Sequence, residues 1–513
     1  MRSIVTALLL LLPFMGPYAI IAASKQPHIR QNDKANNFHD RFNRQLLEHG
    51  LRGGNENNYV NSSEFAADTN YTIPVANTTV PLHAHSGTHH VHLYVGSPPQ
   101  RQTLIVDTGS RTMAFPCRTC PTCNDCCGTH ASPYFDPSKS STHFVSSCGS
   151  CLLEGISDCP MQLLSGRRTA SAATSIDGGD VCTFAQKYTE GSAWRATEVE
   201  DLVWLGSSDV VESIENYMPS LAVAYPFGCQ TSSTGLFRKQ YADGILGLTI
   251  HETSLVTAFY NEGLIRSDAF SLCFTQEGGV LSLGGSLDPH KFHHSQGMKR
   301  TPISKHEHGY YSVEVIRLVV GNNTIVTDIN TKPRLLREIN AGKGCILDSG
   351  TTDSYFPESL LRPIRRAVLE YGKARSGEIT GEIPVLDDHD LDLFSPKLRE
   401  RPYTYQEFEV LLPTVTLVFA NEVALNILPK HYMENVPLDA SSGNVVPWEG
   451  TLILTNRLYF EEENGSVLGA NAFFGYDILF DATNELNKQQ GMIGIAPSDC
   501  HAAAKDIATL PAA

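Results

Sequence analysis

The sequence predicts a mainly β protein in which two β-rich lobes share a cleft, and three observations carry that prediction. An apolar run, Thr103-Leu104-Ile105-Val106, ends on Asp107, with Thr108, Gly109 and Ser110 directly behind it. A second run, Cys345-Ile346-Leu347, ends on Asp348, followed by Ser349, Gly350 and Thr351. The two copies lie 241 residues apart, too far for a short solenoid repeat and suited to a duplicated pair of lobes. Each is followed by an apolar segment carrying glycine, DGILGLT at 243–249 and SVLGANAFFGYDILFD at 466–481. Both read as strands that pass behind their own aspartate loop. Around them, short strands bounded by Gly, Pro and Ser fill residues 81–290.

A buried strand that delivers a lone carboxylate is costly unless the group is paired, protonated or put to use. Two carboxylates held side by side solve this by keeping one proton between them, so that one member accepts a proton while the other donates. Asp107 and Asp348 are therefore the candidate catalytic pair. The glycines allow tight loops, and the hydroxyls of Thr108 and Ser349 can brace them.

The D-T-G-S and D-S-G-T loops, the two apolar-Gly segments, YVGSPPQ at 94–100 and GMIGIAP at 491–497 stand in the order of a known family. Over roughly residues 82–500 the chain resembles the pepsin-like aspartic proteases. The resemblance implies a bilobal acid-protease fold with the active-site cleft between the lobes. It also implies an endopeptidase that acts on polypeptides, with no cofactor and no metal. Asp107 and Asp348 would be catalytic, with Thr108, Gly109, Ser110, Ser349, Gly350 and Thr351 supporting their loops. The family's hairpin flap matches residues 183–206, with Tyr188 before the Gly191-Ser192 turn. One departure is Ala114, which stands where pepsins usually carry a tryptophan bonded to the flap tyrosine.

Composition bounds the setting. The 513 residues are 41% hydrophobic, enough for a large core, and a net charge of −16 offers no basic face for nucleic acid. Residues 1–23 read as a secretory signal, and no further apolar run reaches membrane-spanning length, so no anchor is expected. Residues 24–80 read as a pro-segment whose arginines can cover the catalytic carboxylates. The lobes are expected at 81–290 and 291–500, the first carrying a Cys-rich insertion at 117–159, with a tail at 501–513. FSLCFTQEGGVLSLGG, 270–285, reads as a hairpin leading to the lobe junction, and GYYSVEVIRLVVGN, 309–322, as strand. Polar stretches 165–180 and 376–403 read as surface loops.

Thirteen cysteines in a secreted chain imply disulfides with at least one thiol left over. The candidates are Cys117, Cys120, Cys123, Cys126, Cys127, Cys148, Cys151, Cys159, Cys182, Cys229, Cys273, Cys345 and Cys500. Disulfides outweigh zinc as the reading of 117–151, because no two-plus-two ligand spacing stands out. N-x-S/T sequons at Asn61, Asn70, Asn77, Asn322 and Asn464 agree with the secretory pathway, as a luminal or secreted protein expected to be a monomer.

Within the family, the Cys-rich insertion resembles the nepenthesin-type branch. The cysteine knot after FPC, the Y-x-E-G-S flap and FGCQTSSTGLFRKQYADGILGL at 227–248 resemble the plasmepsin V branch more. That branch usually has a flap cysteine where Thr189 stands, and a C-terminal membrane anchor. The resemblance implies cleavage after R-x-L, with Glu190 pairing a substrate arginine and Gln240 adding a contact. Arg44-Gln45-Leu46-Leu47-Glu48 in the leader fits that pattern, which makes Leu46 a candidate self-cleavage point. Arg334-Leu335-Leu336-Arg337-Glu338 fits it as well. Five histidines in HAHSGTHHVHLY, 83–94, are not expected to hold a metal, since strand alternation should point them to different faces. The rival functions are a broad-specificity extracellular protease of the nepenthesin kind and a non-catalytic pepsin-like binding protein.

Overall fold

The structure is a computed structural model. It describes residues 79–85, 87–118, 127–153, 156–159, 161–164, 167–170, 181–206, 222–285, 292–304, 309–327, 333–375, 398–399, 404–437, 452–483 and 491–508. All of these belong to one compact unit, Asn61–Ala513. The signal and residues 24–78 of the pro-segment, with Leu46, Asn61, Asn70 and Asn77, lie outside the described residues, as do Cys120, Cys123 and Cys126.

The fold is mainly β, with the bilobal pepsin-like architecture. One 14-stranded sheet runs through it. At its centre Thr79–His85, Thr88–Val95 and Gln100–Asp107 lie side by side, followed by Gly244–Gly247, Met113–Pro116, Val223–Thr234 and Ala193–Leu205. On the other side of Thr79–His85 come Gly278–Leu283 and Ala269–Thr275, the hairpin read from 270–285. Ala269–Thr275 then pairs antiparallel with Tyr476–Asp481, which pairs with Met492–Pro497. Strands from the end of the chain thus extend a sheet begun near residue 79.

A five-stranded sheet repeats the central pattern for the second aspartate. Cys345–Leu347 pairs antiparallel with Ser312–Val313 and parallel with Ser466–Leu468. A four-stranded sheet adds Asn323–Thr327, Val315–Val320, Val415–Phe419 and Val423–Ile427. A bulge between Val315 and Arg317 shifts the register, which brings Val315, Leu318 and Val320 inward despite their uneven spacing. The helix Leu361–Arg375 buries Leu361, Ile364 and Val368 against this sheet, at the three- and four-residue spacing of one helical face.

Four disulfides close the described framework. Cys117–Cys229 ties the chain beyond the first aspartate loop to Val223–Thr234, and Cys273–Cys500 fastens the helix Cys500–Ala508 to the main sheet. Cys148–Cys159 closes a loop within the Cys-rich insertion, and Cys151–Cys182 ties the insertion to the root of the flap. Cys127 is disulfide-bonded too. Cys345 corrects the list of bonded candidates: it is free and buried, in the strand that delivers Asp348.

Two loop expectations also need correction. Within 165–180, Arg167–Ala170 is a strand paired with Met161–Leu164, and within 376–403, Leu398–Arg399 pairs with Leu452–Asn456. Their backbone groups find partners in ladders that the polar composition of those stretches did not signal. Asn322 and Asn464 are exposed. No helix among the described residues is long and apolar enough to cross a membrane.

Candidate active site

Each aspartate stands at the end of a strand backed by a parallel neighbour. Gly244–Gly247 runs parallel to Gln100–Asp107, with Gly247 opposite Asp107, and Leu347 stands opposite Leu468. The glycines are needed where the crossing chain passes. A methyl on Gly247 or on Gly469 would overlap the backbone of Thr112 or Asp353.

The two loops interlock with local two-fold symmetry. Thr108 N donates to Ser349 Oγ at 3.0 Å, and Ser349 N donates to Thr108 Oγ1 at 2.9 Å. Each hydroxyl in turn donates across the interface, Thr108 Oγ1 to Leu347 O and Ser349 Oγ to Val106 O, both at 2.8 Å. All four bonds are buried, where an unpaired partner would cost about 1–3 kcal/mol. Two loops far apart in sequence are thereby fixed to each other by a closed ring of bonds.

Within each loop the carboxyl is held by its own turn. Gly109 N donates to Asp107 Oδ1 at 2.8 Å and Ser110 Oγ to Asp107 Oδ2 at 2.5 Å. Gly350 N and Thr351 Oγ1 do the same for Asp348, at 3.0 and 2.7 Å. The carboxyls face each other across the glycines. A methyl on Gly109 would sit 2.6 Å from Asp348 Oδ2, and one on Gly350 would overlap Asp107 Oδ1. Burial, followed by the charge of Asp348, raises the Asp107 carboxyl to about 8, so the pair keeps a proton through neutral pH.

The hairpin Thr183–Lys187 with Ala193–Leu205 carries Tyr188 over this pair. Its turn closes with Tyr188 N donating to Ser192 O and Gly191 N donating to Tyr188 O, with Gly191 at φ +93°, a conformation that suits glycine. The Tyr188 ring packs on Phe237 at 4.9 Å, and its hydroxyl accepts from Trp194 Nε1 at 3.3 Å. Burial first, then the Asp107 charge, push the phenol above its ordinary range. Tyr310 also senses the pair, raised by burial and then by Asp348 and Asp107.

Ala114, Trp194 and Phe237 share one buried cluster, and Trp194 occupies the hydrogen-bonding role that Ala114 cannot fill. Sequence reading noted the missing tryptophan but not this substitute. The signal was present, since Trp194 lies six residues beyond Tyr188 on the returning strand. A second residue it passed over is Asp243, whose buried carboxylate accepts from Thr103 N and Ser132 N and anchors the strand leading to Asp107.

Glu190 is exposed at the hairpin tip, near enough to Tyr188 for its charge to be felt there. The side chain of Gln240 is turned to the Ala242 carbonyl at 3.2 Å. Neither touches the aspartates. Among the described residues the sulfurs of Cys151, Cys159 and Cys182 lie close enough together for a metal, but all three are in disulfides.

Comparison with known proteins fits this geometry. A family model described as Eukaryotic aspartyl protease matches residues 219–395, and one described as Xylanase inhibitor N-terminal matches 89–285. Aspartic protease 5 of Toxoplasma gondii is 35% identical over 38% of this chain and 19% of its own length. Plasmepsin V of Plasmodium falciparum is 28% identical over 40% of this chain and 30% of its own. Aspartyl protease family protein 1 of Arabidopsis thaliana is 24% identical, over 86% of this chain and 73% of its own. The match therefore spans less than a third of the Toxoplasma and Plasmodium relatives.

Proposed function

Because the chain belongs to the pepsin-like aspartic protease family, we propose that it is an aspartic endopeptidase of the secretory pathway. The observation that carries this reading is the ring of four buried bonds through Thr108 and Ser349, which fixes the two carboxyls face to face. A water between Asp107 and Asp348 attacks the peptide carbonyl. The ionised carboxylate takes the water's proton, while the protonated carboxyl donates to the developing oxyanion. Both carboxyls are already oriented by their own loops, so the reaction needs little rearrangement. Tyr188 closes over the substrate, and its bond from Trp194 sets the angle of its hydroxyl.

The substrates are polypeptides cut after R-x-L, with Glu190 taking the arginine as a charge-assisted pair. The exposed position of Glu190 beside Tyr188 supports this. It lets the carboxylate meet a substrate arginine as the flap closes. The enzyme acts as a monomer in an oxidising lumen or outside the cell, in keeping with its disulfides. Its leader is removed by self-cleavage after Leu46. The competing match at 334–338 lies in the helix Pro333–Ile339, where Arg334 Nε donates to Glu338 Oε1 at 2.7 Å. A helical backbone cannot lie extended in a cleft without unfolding first.

Cleavage of an R-x-L peptide and of its Arg→Lys and Arg→Ala versions tests the specificity, with Asp107→Ala as the blank. Cutting after Leu that falls with either arginine change, and that Glu190→Gln makes indifferent to the arginine, is the expected result. Equal cutting of all three peptides would favour a broad-specificity protease. The inhibitor in the name of the family model over 89–285 motivates the non-catalytic reading, and no cleavage by a correctly folded mature chain would favour it.

A further inference from the structure

Thr79–His85 and Thr88–Val95 pair with His83 opposite His90 and His85 opposite Thr88. Thr88–Val95 pairs with Gln100–Asp107, so that His92 opposes Thr103 and Tyr94 opposes Arg101. Cross-strand partners share a face of the sheet, and residues two apart along a strand share it too. His83, His85, His90, His92 and Arg101 therefore project together, and only His89 goes to the other face, stacked on Phe274 at 4.0 Å. This overturns the expectation that alternation scatters the five histidines. Alternation separates neighbours within a strand, but the hairpin register gathers two strands' sets.

With Tyr241 these five side chains line a cavity of about 260 Å³. The His83 ring stacks on His92 at 4.6 Å and on His90 at 5.7 Å, and His85 stacks on Tyr241 at 4.3 Å. Nε2 of His83, Nδ1 of His90 and Nδ1 of His92 are buried without a hydrogen-bond partner. His90 is only 3% exposed. Buried polar atoms are almost always satisfied, so three orphaned ring nitrogens at one cavity point to a ligand.

Two observations choose its chemistry. A metal draws its ligand atoms to within a few ångströms of one another, and among the described residues these histidines do not form such a group. Among the described residues no carboxylate lines the cavity, and the permanent charge there is the Arg101 guanidinium. Donors too far apart for a single ion suit a group that presents several oxygens on different sides. We propose that this cavity binds a sulfate- or phosphate-type oxyanion, free or carried by a larger molecule, on Arg101 and the ring nitrogens of His83, His90 and His92.

Proton uptake accompanies binding. Burial first, then the neighbouring imidazoles, lower His90 to about 3; burial, then His83 and Arg101, lower His92 to about 4. His83 is lowered by burial and Arg101. The groups facing this set are His85 from the first strand, Tyr94 and, from behind, His89 on the second, Arg101 from the third and Tyr241 from its loop. Among the described residues, none of the groups facing this set is a carboxylate. An oxyanion supplies the missing counter-charge and favours the protonated rings. The site is also close to the second aspartate loop, since the hairpin turn at Gly87 lies against Thr352.

Titration calorimetry of the full chain with sodium sulfate tests this, because sulfate keeps its charge between pH 5 and 7. The expected result is one saturable site whose affinity rises about tenfold per pH unit on acidification for each proton taken up. Arg101→Gln, at an exposed position, weakens it by about tenfold or more. A parallel titration with sulfotyrosine separates the sources: tighter binding than sulfate assigns the site to a group borne on a larger molecule, and equal or weaker binding to the free ion. Sulfate binding that is absent, independent of pH or unchanged in Arg101→Gln overturns the proposal. So does zinc chloride binding with proton release that His92→Gln abolishes, in a chain that ignores sulfate.

Discussion

Trp194 Nε1 donates to Tyr188 Oη across the turn of a single hairpin. The indole that orients the flap tyrosine is thus carried by the flap itself and moves with it. The position in the lobe body that could have supplied it holds the buried Ala114. Trp194→Phe keeps the edge-to-face packing on Phe184, 5.4 Å between ring centroids, and removes only the N–H. It is expected to lower kcat/KM about fivefold, the value of one hydrogen bond near 1 kcal/mol, with little change in Tm. Tyr188→Phe should give a similar loss, and the double variant little more than either. Steady-state kinetics on the three variants checks this.

The shared proton has a thermodynamic consequence. Asp107 is raised to about 8 in the fold and returns to its ordinary range when the chain unfolds. Its contribution to stability is complete below the unfolded value and is lost as pH rises through about 8. Asp348→Asn removes the charge that opposes ionisation and should flatten that loss. Urea unfolding at pH 4.5 and 7.5 should show wild type losing at least about 1 kcal/mol more than the variant across this interval. Equal losses would contradict the coupling.

The bonded ring between the loops predicts strong non-additivity. Thr108→Val and Ser349→Ala each remove buried bonds on both sides of the interface. Each should cost about 1–3 kcal/mol, and a double-mutant cycle should return a coupling energy of about 1 kcal/mol or more.

The parts legible in the sequence are those where one residue type has one physical solution. A buried strand ending on Asp107 or Asp348 had to find a partner carboxyl, and Gly247 and Gly469 had to be glycine where a second chain crosses. Those features, with the two strands behind the loops, follow from the chain alone. What stayed hidden depended on register between distant segments. The role of Trp194 needs the hairpin pairing of Lys187 with Ala193, and the histidine face needs the pairing of His83 with His90. Nothing in the spacing of the thirteen cysteines marks Cys345 as free, because burial in a central strand is a tertiary fact.

That cysteine yields a prediction of its own. Burial pushes the Cys345 thiol up to about 12, and the chain packed around it leaves no route for a reagent. The native protein should resist alkylation by iodoacetamide at pH 8 with its activity intact, whereas denaturation without reductant should release this thiol. Mass spectrometry of the alkylated peptides distinguishes the outcomes. Rapid native modification would mean that the strand behind Asp348 opens.

The central claim is that Asp107 and Asp348 act as one proton-sharing pair on a peptide bond, and its most direct test is the pH profile of peptide hydrolysis by the mature chain and by Asp348→Asn. The account predicts metal-independent hydrolysis by the wild type that declines as pH rises through about 8, where the pair gives up its shared proton, and no hydrolysis above background by a folded Asp348→Asn. Comparable hydrolysis by Asp348→Asn, or a wild-type rate that climbs steadily past that pH, would contradict it.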